Sequence, residues 1–97
     1  MKYSLEVAPS VTRQASRVYI HRETERKGAG ERFVAALAEC YAAIKANPYG
    51  YQLRKGNFRH AQLRRLFYRV VYEVEGDRIY VHQLRHTSRR VSRRFGP

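Results

Sequence analysis

A chain of 97 residues that is 43% hydrophobic and 12% aromatic is long enough for one domain with one modest core, and too apolar to stay disordered. Its net charge is +12, and 16 of its 20 basic residues are arginine, whose planar fork pairs bidentately with phosphate or carboxylate. That balance points to a polyanionic partner, either nucleic acid or an acidic protein segment. No stretch approaches the roughly 18 apolar residues of a membrane span.

The charge is uneven. Residues 1–50 hold 8 basic and 5 acidic residues, whereas residues 51–97 hold 12 basic and 3 acidic. The partner is therefore expected on the C-terminal half. Cys40 stands alone, so it forms no internal disulfide and no cysteine-based metal site; it reads as a small buried hydrophobe. Met1-Lys2-Tyr3-Ser4-Leu5-Glu6 meets a charge at once and does not read as a signal peptide. A reducing cytoplasm is the expected setting.

In chain order, Tyr3, Leu5 and Val7 alternate with polar neighbours and predict a short, half-buried strand. Pro9 and Ser10 open a helix to about Arg26, with Val11, Ala15, Val18 and Tyr19 inward and Arg13 and Arg17 on the solvent face. Gly28-Ala29-Gly30 turns the chain into a second helix, about Ala29 to Ala46, striped by Phe33, Leu37, Tyr41 and Ile44. Asn47-Pro48-Tyr49-Gly50 stops it. Tyr51 to Phe58 reads as a connection with a turn at Arg54-Lys55-Gly56.

Three strands follow: Arg59 to Leu66, Phe67 to Glu75, and Arg78 to His86, the last two joined at Gly76-Asp77. From about residue 87 the chain is a basic tail. The predicted fold is α+β in a single domain over 1–97: a small antiparallel sheet, ordered β-α-α-β-β-β, with a helical hairpin on one face. The other face is left partly open, and the strand arginines must point there or to the edges.

Several segments together resemble the RelE/ParE superfamily of toxins from type II toxin–antitoxin systems. Tyr3-Ser4-Leu5-Glu6-Val7-Ala8-Pro9 is similar to that family's first strand and helix start. Ala36-Leu37 through Ile44, with Asn47-Pro48, is similar to its second helix and following loop. Leu63 to Tyr72 looks like its central strand pair, although Phe67 and Tyr68 are adjacent where the family often has an intervening proline. Val81 to Arg89 matches its closing strand, with His86 and then Arg89 three residues later. The resemblance implies a cognate antitoxin, a toxin–antitoxin hetero-oligomer, and one of two targets: DNA gyrase, reached by binding, or messenger RNA cut on the ribosome.

RNA cleavage would need a base for the 2′-OH, cations for the transition state and an acid for the leaving oxygen. His86, Arg89, Arg65 and Tyr68 are the candidate catalytic set if the chain is a nuclease. Arg59, Arg64, Arg85, Arg90, Arg93 and Arg94 are candidate contacts to nucleic acid or another target. Strand alternation warns that Arg85 and His86 point to opposite faces. His21 reads as solvated surface, His82 as structural, and His60 as a residue of sheet or loop without a role. The histidines lack metal-ligand spacing, so no metal is expected, and no cofactor is implied. Lys27-Gly28-Ala29-Gly30 lacks the spacing of a phosphate loop. With no acidic residue beside the His/Arg cluster, gyrase inhibition ranks above endoribonuclease activity. A non-toxic basic nucleic-acid-binding module is the further alternative.

Overall fold

The computed structural model describes residues 2–87. The element order is β1 (Ser4–Val7), α1 (Pro9–Glu25), α2 (Ala29–Ala46), β2 (Leu53–Lys55), β3 (Phe58–Gln62), β4 (Tyr68–Glu75) and β5 (Arg78–His86). The five strands form one sheet in the order β1-β5-β4-β3-β2. The α+β architecture with a helical hairpin on one face is as expected.

The hairpin depends on two glycines. Gly28 caps α2 with φ of 88°, a left-handed conformation that glycine adopts without steric cost. Gly30 lets the helices approach closely: a Cβ there would lie 2.7 Å from the backbone oxygen of Tyr19. The Glu23 carboxylate accepts hydrogen bonds from the backbone N–H groups of both Gly28 (2.9 Å) and Gly30 (3.0 Å), satisfying donors that α2 cannot pair internally.

Val11, Phe33, Leu37, Cys40 and Ile44 bury their side chains against Ala61, Leu63, Val70, Tyr72, Ile79, Val81 and Leu84. Each large apolar side chain buried here stabilises the fold by about 1.5–3 kcal/mol. Tyr72 is fully buried, and its hydroxyl donates to the Pro48 carbonyl at 2.6 Å, tying the sheet to the end of α2. Cys40 is buried with its thiol 3.9 Å from the Ala61 carbonyl, and burial pushes its pKa up to about 11.

One short strand changes the sheet. The turn expected at Arg54-Lys55-Gly56 falls later, with Gly56 at φ 54°, and Leu53–Lys55 pairs antiparallel with β3. All three β2 residues are exposed, so no burial pattern announced the strand. This extra element adds one chain reversal. β5 therefore runs parallel to β1, and the sheet is mixed rather than wholly antiparallel. The strand expected from Arg59 to Leu66 ends at Gln62. Leu63 closes the β3–β4 loop by donating its N–H to the Tyr68 carbonyl at 2.9 Å, and Arg65 takes a left-handed φ of 63°.

A bulge in β5 decides which residues face the helices. Val71 lies opposite Gln83, but the next residue, Tyr72, lies opposite Val81, leaving His82 unmatched in the ladder. Leu84 and Val81, three residues apart, thus both reach the core. On the opposite face, Arg69 lies across from Arg85 and His60 across from Val71. That face is not open at its centre: Val71 is 0% exposed, Arg85 3% and His60 6%. β4 and β5 are interior strands with a neighbour on each side.

Candidate functional site

The residues singled out from sequence fall in three places. Tyr68 and His86 are cross-strand neighbours at the end of β4 and β5, on the face that packs against the helices. Their rings meet edge to face at 5.0 Å. Tyr68 also packs edge to face on Phe33 of α2 at 5.3 Å, and Phe67 lies 6.4 Å beyond His86. The aromatic series Phe33–Tyr68–His86–Phe67 thus begins in the core and ends at a ring that is 69% exposed.

Arg85 occupies the other face, with Arg69, a residue not singled out from sequence, as its cross-strand neighbour. Burial, and then the charges of Arg85 and Arg54, hold the Arg69 pKa below the ordinary arginine value. The buried Nε of Arg69 meets no acceptor among the described residues.

Arg64 and Arg65 form the third place, the exposed β3–β4 loop. With Arg32, Ala35, Ala36 and Glu39 of α2 they line a shallow depression. Arg64 lies 3.9 Å from Glu39, both side chains being mostly solvated. Arg59 is committed to structure: its guanidinium donates to the Tyr51 carbonyl at 2.6 Å and sits 5.2 Å over the Tyr49 ring. Arg89, Arg90, Arg93 and Arg94 lie outside the described residues.

Two depressions flank α1. Toward the sheet end, a hollow of about 620 Å³ is lined by Gln14, Arg17, Val18 and His21 of α1 with Tyr68, Gln83 and His86. No carboxylate lines it. The stripe Gln14-Arg17-Val18-His21 follows helical spacing; it was readable in sequence as one face, yet nothing there said that the face would meet Tyr68 and His86. His21 is exposed, as expected, and lies 3.4 Å from Glu25. Toward α2, an apolar groove of about 450 Å³ is lined by Thr12, Ala15, Ser16, Tyr19, Ile20, Phe33, Val34 and Leu37.

A different chemistry marks the far end of the sheet. Glu6, Glu73 and Glu75 gather beside Arg78, Tyr80 and His82. His82 is held there by Glu73 at 2.6 Å and by ring contacts with Phe58 and Tyr80. Among the described residues no group of three or more His, Cys, Asp or Glu side chains could hold a metal ion, and no helix is long and apolar enough to cross a membrane.

Comparison with known proteins places this arrangement. Residues 5–91 match the family described as the ParE toxin of the type II toxin–antitoxin system parDE. The fold is similar to a solved structure of a chromosomal ParDE toxin–antitoxin system from P. aeruginosa, with a TM-score of 0.78 and 15% sequence identity, covering 90% of this chain and 98% of that one. No curated protein matches the sequence.

Proposed function

The chain belongs to the ParE toxin family of type II toxin–antitoxin systems, and from that premise we propose that it arrests growth by binding DNA gyrase and that a cognate antitoxin silences it. The observation that carries this reading is the match to the ParE toxin family over residues 5–91. Of the candidate catalytic set, Tyr68 and His86 line the hollow beside α1, whereas Arg65 lines the depression beside α2. Phosphodiester cleavage requires a base, an acid and cations around a single phosphate, each within hydrogen-bond reach. An inhibitor that works by binding needs a surface of suitable shape and charge, and no converged proton relay.

The antitoxin contact is supported by the groove between the helices. Ile20 is 61% exposed and Val34 44% exposed, so apolar surface continues from the core out to solvent. An amphipathic antitoxin helix would bury that stripe, in the helix-in-groove manner. The arginines of the C-terminal half would steer its acidic residues and lose part of that effect in salt.

The test pairs two assays on the full chain: inhibition of supercoiling by purified gyrase, and cleavage of messenger RNA in a translating extract. Blocked supercoiling with intact message, reversed by antitoxin, is expected. His86→Gln should leave growth arrest nearly unchanged, whereas a nuclease losing its general base would slow by about 10²–10⁴-fold. Intact supercoiling at excess toxin together with cleaved message would reverse the assignment in favour of an endoribonuclease.

A further inference from the structure

We propose that the hollow between α1 and the end of β4 and β5 contacts a single strand of nucleic acid directly, taking a backbone phosphate at Arg17 while the exposed ring of Phe67 stacks a base. This does not rest on the gyrase reading, because the contact is to the strand itself.

The lining is one-sided. Arg17 and His21 come from α1, Tyr68 and His86 from the sheet, and all four offer hydrogen-bond donors with no carboxylate among them. Among the described residues Glu25 lies 3.4 Å from His21; both side chains are about 70% exposed, so this pair is solvated and weak. The surrounding molecule carries +12, which draws a polyanion toward the hollow.

Phe67 supplies the second element. It is the most exposed large hydrophobic side chain among the described residues, at 69%. It is not a loose loop residue, because its carbonyl accepts the Thr87 N–H at 2.8 Å and its ring follows His86 and Tyr68 in a series anchored on buried Phe33. A rigid aromatic face held in water beside a cationic hollow is the combination that sequence-tolerant single-strand binding uses.

The same helix argues against a protein occupant. Its other flank opens on an apolar groove, the chemistry of a protein interface core. The hollow has Val18 as its single aliphatic lining residue. Surfaces that bind nucleic acid are polar and positive in this way.

The experiment uses the purified full chain and fluorescein-labelled oligothymidylate and oligouridylate in anisotropy titrations across a salt series. Arg17→Ala, Phe67→Ala, Phe67→Leu and Phe67→Trp are compared with Arg13→Ala, which removes the same charge from the exposed face of α1. Circular dichroism confirms that each variant is folded. Phe67→Ala and Phe67→Leu should weaken binding by about tenfold, and Phe67→Trp should restore it, since stacking needs the π face rather than apolar bulk. Arg17→Ala should weaken binding and flatten the logarithmic salt slope by about 0.7, one phosphate contact, with a smaller affinity loss for Arg13→Ala. Equal losses at Arg13 and Arg17, or full binding by Phe67→Leu, would overturn the proposal. So would displacement of the strand by millimolar inorganic phosphate, which would make the hollow a small-anion site. An Arg17→Ala variant that loses antitoxin affinity but keeps strand binding would assign the hollow to a protein instead.

Discussion

The groove of about 450 Å³ and the hollow of about 620 Å³ share helix α1 and differ in nearly everything else. Thr12, Ala15, Ser16, Tyr19 and Ile20 face one; Gln14, Arg17, Val18 and His21 face the other. At 3.6 residues per turn these two stripes lie on either flank of the buried one. A single helix thus presents an apolar edge to α2 and a cationic edge to the sheet end. If the groove takes the antitoxin and the hollow a nucleic-acid strand, as proposed above, one helix keeps the two contacts apart without a second domain. It also means that the two should fail separately.

They should fail together only through their common support. Phe33 is fully buried, forms part of the groove and carries the ring of Tyr68 that lines the hollow. Phe33→Ala should cost about 3–5 kcal/mol in urea unfolding and impair both antitoxin and oligonucleotide binding. If one activity survives intact in the folded variant, the two surfaces do not share this foundation.

Alkaline pH offers a second route to joint failure. The Cys40 pKa is raised by burial from 9.0 to about 11, so the protonated thiol is favoured in the fold. A raised folded-state pKa contributes stability that is complete below pH 9 and lost as pH rises toward 11. The loss should be on the order of 2 kcal/mol by unfolding midpoint, and Cys40→Ala should flatten it. Tyr41, pushed up to about 12 mainly by burial, extends the decline to higher pH.

Gly30→Ala should separate the two surfaces. The added methyl would lie 2.7 Å from the Tyr19 oxygen and force the helices apart. The expected cost is about 1–3 kcal/mol, with weaker antitoxin binding and unchanged oligonucleotide binding. Loss of oligonucleotide binding instead would show that the hollow depends on the hairpin angle. The smallest effect is expected away from both surfaces. The Arg78–Glu6 pair joins β5 to β1 at 2.6 Å, yet both side chains are at least half exposed. Arg78→Ala should leave the unfolding midpoint and both binding activities nearly unchanged.

Much of this was legible before any coordinates. Both helices stood in the sequence almost to the residue, because Pro9, Gly28 and Asn47-Pro48 punctuate strong 3.6-residue patterns. β5 was equally clear. Strand β2 was not, since Leu53, Arg54 and Lys55 are all exposed and leave no alternation to read. That omission hid the parallel β1–β5 pairing, because one missing reversal inverts the direction of every later strand. Of the candidate site, Tyr68 and His86 are neighbours in the fold, and Arg85 faces away from His86 as strand alternation implied. Arg65 was grouped with them and lies instead on the loop beside α2.

The sequence by itself determined both helices, strands β1, β4 and β5, the charge, the core stripes and the family resemblance, because periodicity, composition and segment order are local or additive properties of the chain. Only the tertiary structure decided that Arg17 and His21 meet Tyr68 and His86, that the His82 bulge turns both Val81 and Leu84 inward, and that Arg85 is buried. Those outcomes depend on strand register and on the packing of α1 over the sheet. Both are set by contacts between residues far apart in the chain, where no local pattern specifies which stripe faces which strand end.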